Sequence, residues 1–149
     1  MYKSHHLQSN PISIFISIFN QGLHSKKENI LLPYHHVIND LVLLFYSKQY
    51  ISSYKYVTIP VYKNGKRILL TYISITYVWY QNQSPFINLL KSYFLPSRKL
   101  YMTSNQLFDM KKKYKGRSLM VLVSTQKGLL WLDDCIKFQI GGFLLFEIL

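Results

Sequence analysis

Ser124-Thr125-Gln126-Lys127-Gly128 interrupts an apolar run, LMVLV before it and LLWL after it, with two hydroxyls, an amide, an ammonium and a glycine. Held in a turn between two buried strands, such a set offers small rigid donors and backbone N–H groups to phosphates and sugar hydroxyls. The same five residues also suit an ordinary hairpin turn, with Gly128 supplying a positive φ and the hydroxyls satisfying local backbone. A second group is basic: Lys111, Lys112, Lys113, Lys115 and Arg117 crowd one short segment. Such a cluster fits phosphate contacts that weaken with salt and carry no sequence information, or a solvated loop.

Other combinations that could do chemistry are weaker. His5-His6 and His35-His36 are adjacent pairs whose side chains should point apart, unlike the i,i+4 spacing of a helical zinc site. Asp133 and Asp134 would face opposite sides of a strand, so helix capping or a solvated turn suits them better than paired acid/base work. Ser124 lacks a G-x-S-x-G elbow, no phosphate-binding glycine loop is present, and the single cysteine, Cys135, has no CxxC partner. These features lead us to expect a binding protein that is not an enzyme, with no metal and no cofactor.

Charge and composition narrow the partner. Lysine and arginine number 18 against six acids, a net charge of +12, which points to a polyanion and first of all to nucleic acid. With 49% hydrophobic and 16% aromatic residues the chain can still build a real core, so it does not read as a disordered basic tail. Its 149 residues suffice for one domain or two small ones. Alanine is absent and the basic residues are almost all lysine, while Ile, Tyr, Phe, Asn and Lys abound; these are the residues of AT-rich codons. An organelle's genome has that bias, and the hydrophobicity favours a mitochondrion over a plastid. The opening MYKSHHLQSN resembles neither a signal peptide nor a transit peptide, so import is not expected. The greasiest segment, VINDLVLLFY, carries Asn39 and Asp40, and no membrane insertion is expected. The alternative function is a basic module docking on an anionic membrane surface. It needs an amphipathic helix with lysines opposite its apolar face, and residues 10–22 contain neither lysine nor arginine.

The elements that must position these residues follow from periodicity. Residues 10–22 alternate isoleucines as a strand would, yet Ile12, Phe15, Ile16 and Phe19 recur at helical spacing. Asn10 as a cap and Pro11 at the first position decide for a helix. NILLP is a short extended piece, and residues 34–47 place Val37, Leu41, Leu44 and Phe45 on one helical face. YKYVTIPVY and RILLTYISITYVWY read as strands joined through Asn64-Gly65, the preferred centre of a two-residue hairpin turn. This αβαββ unit occupies residues 1–80. Residues 81–96, with QNQSP, two prolines and a possible helical turn around FINLLKSYF, read as a connector. In residues 97–149, RKLYMT is strand-like, 104–110 suits a short helix, KKKYKGR a basic turn, and SLMVLV, GLLWL and FLLFEIL three extended pieces. The fold class expected is α+β, in two small lobes, the second mostly β.

Taken with its turn, the segment LMVLVSTQKGLLWLDDCIKFQIGGFLLFEIL resembles the last third of the small-subunit ribosomal protein eight family. That pattern runs apolar strand, Ser-Thr-Ser-x-Gly, apolar pair, variable stretch, Gly-Gly, closing strand. LPSRKLY is similar to the family's Lys-Pro-Gly-Leu-Arg-Val-Tyr and keeps Pro96, Lys99 and Tyr101; Asn10-Pro11-Ile12 stands where the family has Asp-Pro-Ile; LLPYHH resembles its Val-Pro-Tyr-Ser-Lys. The resemblance implies a two-lobed protein that binds a helical region in the central domain of small-subunit rRNA and supports its assembly beside neighbouring small-subunit ribosomal proteins. It places RNA recognition mostly in the C-terminal lobe, on Ser124, Thr125, Gln126, Lys127 and Gly128, on Tyr101 with the basic Lys99, and at Gly141-Gly142. Departures are Gln126 for the second serine, Ser97 for the glycine after the proline, and Phe143 for the glutamate after Gly-Gly. Ile18 and Asn20 replace arginines of the first helix, and His35-His36 replaces Ser-Lys.

Overall fold

The computed structural model describes residues 10–93, 99–113 and 120–149. They form two compact units divided between Ile87 and Asn88. The first unit opens with α1 (Pro11–His24), where the Asn10 side chain accepts from the Ile12 N–H at 2.9 Å and Pro11 occupies the first turn. Phe15, Ile16, Phe19 and Leu23 are buried, so the helical spacing and not the isoleucine alternation marks the inward face. This face packs into the core. β1 (Asn29–Pro33) leads into α2 (His36–Ser47), whose buried side chains are Ile38, Leu41, Val42 and Phe45. The long strands β2 (Ile51–Lys63) and β3 (Lys66–Tyr77) meet at Asn64 and Gly65, both at positive φ, 53° and 74°, as the mirror-image turn of a twisted hairpin requires. The sheet is antiparallel in the order β1-β3-β2.

Register explains which sheet face is covered. Ile30 pairs with Ile75 and Leu32 with Ile73, and all four are buried, whereas the intervening pair of Leu31 and Ser74 faces the other way. Phe45 meets Phe15 and Phe19 edge-on at 5.2 and 5.7 Å, and Phe19 meets Tyr77 at 4.9 Å. Such edge-to-face contacts add to the stabilisation from simple burial. The Tyr77 hydroxyl donates to the Phe19 carbonyl at 2.7 Å, and burial pushes its phenol well above the usual tyrosine range. Gly22 permits this approach, because a Cβ there would collide with the Tyr77 hydroxyl and Ile30.

The His35-His36 pair does not splay apart as its adjacency suggested. The pair straddles the start of α2: His35 is extended and caps the helix, Nδ1 accepting from the Val37 N–H at 3.2 Å, while His36 is already helical. Their rings stack at 4.3 Å between centroids.

The second unit comprises β4 (Leu90–Ser92), β5 (Tyr101–Met102), α3 (Ser104–Lys113), β6 (Met120–Thr125), β7 (Gly128–Trp131), α4 (Leu132–Phe138) and β8 (Gly142–Ile148). Every strand pairing is antiparallel, and β8 is central: β4 and β5 line its one edge, β6 the other, and β7 pairs with β6. Leu107 of α3, Leu132 and Cys135 of α4, Val123 of β6 and Leu144 of β8 form the core. Burial, helped by the charge of Asp134, pushes the Cys135 thiol up to about 11, so it packs as an inert apolar group. The buried Glu147 carboxylate accepts from the Tyr93 hydroxyl.

Several local readings change. The possible helical turn around FINLLKSYF is instead the strand β4, because Leu90, Lys91 and Ser92 find backbone partners in Ile148, Glu147 and Phe146. Of residues 81–96, those up to Ile87 belong to the first unit, where Trp79 bridges to Pro85 and the Phe86 N–H donates to the Val78 carbonyl. Pro96 lies outside the described residues. The extended reading of GLLWL ends at Trp131, since Leu132 begins α4, a helix the strand reading missed. Asp133 and Asp134 lie in its first turn and Lys137 in its last, charges that complement the helix dipole. The lysine triplet is likewise not in a turn, for Lys111, Lys112 and Lys113 form the last turn of α3. Lys115 and Arg117 lie outside the described residues.

Candidate nucleic-acid interface

Directly opposed residues of an antiparallel sheet project from the same face. In the second unit one such row runs across four strands: Tyr101 on β5 opposes Phe143 on β8, Phe143 opposes Ser124 on β6, and Ser124 opposes Leu129 on β7. The adjacent residues Val123 and Leu144 point the other way, into the core formed with α3 and α4. The row therefore lies on the sheet face away from that core. Tyr101 is 54% exposed and meets the half-exposed Phe143 edge-on at 5.2 Å. The Ser124 hydroxyl has no hydrogen-bond partner among the described residues.

Around this row the chain forms an open cleft of about 510 Å³ lined by Tyr101, Ser124, Thr125, Gln126, Gly141 and Gly142, together with Gln139, Ile140 and Phe143. The turn and the glycine pair, well separated in sequence, thus border one hollow. The glycines are there for space. A Cβ on Gly142 would land on the Ser124 carbonyl oxygen and 2.8 Å from Val123 Cγ1; one on Gly141 would sit 2.7 Å from the Met102 carbonyl and 3.0 Å from the Tyr101 hydroxyl. Only glycine lets β5 and β6 close on the start of β8. Gln139 enters from the end of α4, where it takes a left-handed conformation (φ 57°) usually reserved for glycine.

Thr125 behaves differently from Ser124. Its hydroxyl accepts from the Lys127 N–H at 3.1 Å and donates to the Gly128 carbonyl at 2.8 Å, closing a two-residue turn of Gln126 and Lys127 with Gly128 at φ 98°. Its donor is spent on the turn, as the local-backbone reading of this hydroxyl holds. Thr125→Ala is therefore expected to lower stability by about 1 kcal/mol, read as a drop in melting temperature, with a smaller effect on ligand affinity than Ser124→Ala.

Among the described residues no cation lines the cleft itself. Lys99 Nζ lies 5.9 Å from the ring centroid of the lining residue Phe143, and Lys127 and Lys137 approach Phe138, next in sequence to the lining residue Gln139, at 5.9 and 5.8 Å. The triplet on α3 is not among the lining residues: Lys111 pairs with Asp133 at 2.6 Å, and Lys112 lies 4.4 Å from the Phe108 centroid. That ion pair is exposed on both sides and adds little stability, but it leaves Lys111 partly neutralised. Sequence reasoning missed Gln139 and Ile140, which required seeing α4; the apolar signal at Leu132, Cys135 and Ile136 was present at helical spacing. Among the described residues no group of three or more His, Cys, Asp or Glu comes together, and no helix is long and apolar enough to cross a membrane.

Fold and site together define a two-unit α+β protein whose second sheet presents an aromatic and hydroxyl-bearing face rimmed by lysines. The ribosomal protein S8 family matches this chain over residues 10–149, and the chain belongs to that family. It is 26% identical over 117 residues to the small ribosomal subunit protein uS8 of a Nitratiruptor species, covering 78% of this chain and 81% of the relative. A structural role in the small ribosomal subunit follows from this membership.

Proposed function

We propose that the outer face of the second sheet grips a helical region in the central domain of small-subunit rRNA, and that the chain is a non-catalytic protein supporting that domain's assembly. The observation that carries this reading is the row Tyr101, Phe143, Ser124 across three strands, floored by Gly141-Gly142. A ring that is half exposed can stack on a base or ribose, and an uncommitted hydroxyl on a rigid strand can meet a phosphate or a 2′-OH. Lys99, Lys127 and Lys137 add attraction to the backbone without directing sequence. Filter binding of the full chain tests the proposal: a central-domain rRNA fragment should bind at least about tenfold more tightly than random duplex RNA of equal length at the same salt, and equal affinities would defeat it.

The α3 lysines should act separately. Replacing Lys111, Lys112 and Lys113 by glutamine is expected to weaken cognate and random RNA alike and to reduce the slope of log K against log salt by about 2, since fewer counterions are released and Lys111 is already paired. Titrations at several salt concentrations measure this.

The ribosome we propose is mitochondrial. Support comes from the alanine-free, lysine-rich composition expected of an AT-biased organellar genome. Co-sedimentation with small subunits from purified mitochondria is the expected result, and recovery with plastid or cytosolic subunits instead would reassign it.

A further inference from the structure

The hairpin of β2 and β3 is longer than the sheet that supports it. β1 pairs with β3 only from Tyr72 to Thr76, and just past it the Tyr34 N–H donates to the Thr71 carbonyl, so from the pair Ile59 and Leu70 out to Lys63 and Lys66 the two strands run without a third. That is a ribbon about 16 Å long. A two-stranded ribbon is marginal in water on its own. Its register puts Val57, Ile59, Val61, Ile68, Leu70 and Tyr72 on one face as three opposed pairs. Val61, Ile68 and Leu70 are 38%, 41% and 41% exposed. The same face ends in the opposed pair Lys63 and Lys66, and residues 51–77 contain no aspartate or glutamate.

The geometry points to this apolar hairpin face as the docking surface for a neighbouring protein of the small subunit, whose contacting segment is apolar and flanked by acidic side chains. Aliphatic side chains reward an apolar partner and offer nothing to a base edge or a phosphate. An uncovered stripe of this kind is the usual mark of a protein interface. The basic tip fixes the sign of the partner's rim, because acidic residues there would be attracted and basic ones repelled. RNA would meet Lys63 and Lys66 but leave the aliphatic face uncovered. The inference rests on the small-subunit role and is independent of the RNA contacts proposed for the second sheet.

The test uses the full chain assembled into small subunits, with a photo-crosslinking amino acid at Val61 or Ile68. Irradiation is expected to yield a crosslink to one small-subunit protein, mapped to a peptide with apolar residues next to aspartate or glutamate. Crosslinks to rRNA, to a second copy of this chain, to a peptide lacking that chemistry, or none above the dark control would each overturn the proposal. As a second variant, Ile68→Glu with Leu70→Glu places charges on exposed positions, and the hairpin is expected to fold as judged by circular dichroism. That variant should retain wild-type affinity for the rRNA fragment while its retention on assembled small subunits falls about tenfold. Unchanged retention on the subunit would also contradict it, whereas failure of the second-sheet reading would appear in the fragment affinity.

Discussion

Gly142→Ala is expected to destabilise the second unit by about 3 kcal/mol, at the upper end of what overpacking costs, and to weaken RNA binding with it. The added methyl would meet the Ser124 carbonyl oxygen and Val123 of the paired strand. That carbonyl is backbone, so no rotamer change can relieve the clash; β6 and β8 must separate where Ser124 opposes Phe143. Gly128→Ala is the informative comparison. Nothing lies within 4 Å of a Cβ at Gly128, and its φ of 98° is the sole obstacle, which costs about 1–2 kcal/mol. Urea unfolding should therefore rank Gly142→Ala clearly below Gly128→Ala. Equal midpoints would mean that the glycine pair is not held by close packing.

Phe45→Ala should cost the first unit about 3–5 kcal/mol. The ring is fully buried and touches Phe15, Phe19 and Tyr50 edge-on, so truncation leaves a cavity bounded by other rings and by both helices. Thermal unfolding should show the loss as a transition shifted well below that of the wild type. Binding of the rRNA fragment by whatever protein remains folded should change far less, because every residue of the proposed RNA-facing row lies beyond Ile87.

The first unit was legible from local rules. A cap, a proline, Asn-Gly and two periodicities name its five elements, because each signal acts within a few residues. What escaped depends on distant partners. β4 is a strand only because β8 lies beside it, and its three residues carry too short a pattern to declare themselves. The helix α4 was hidden by its position, following GLLW without a turn residue and starting at Leu132, where the preceding Trp131 provides no side-chain cap. Of the site, the turn and the glycine pair were visible as residue types, but their meeting at one cleft is a matter of register. Ser124 and Gly142 are neighbours because β8 pairs with β6, and no spacing in the sequence states that. The distinction between Ser124 and Thr125, alike on paper, also emerges only from the hydrogen bonds that occupy one hydroxyl and not the other.

The most direct test of the RNA-facing row is the affinity of the double variant Tyr101→Ala with Ser124→Ala for the central-domain rRNA fragment, measured across a range of salt. Loss of a stacking ring and a directed hydrogen bond should together cost roughly 2–4 kcal/mol, a weakening of about 30-fold or more. The salt slope should stay at its wild-type value, since no charge is removed. A variant that retains the wild-type circular dichroism spectrum and binds the fragment within about twofold of wild type would contradict the account, because this sheet face would then carry no recognition.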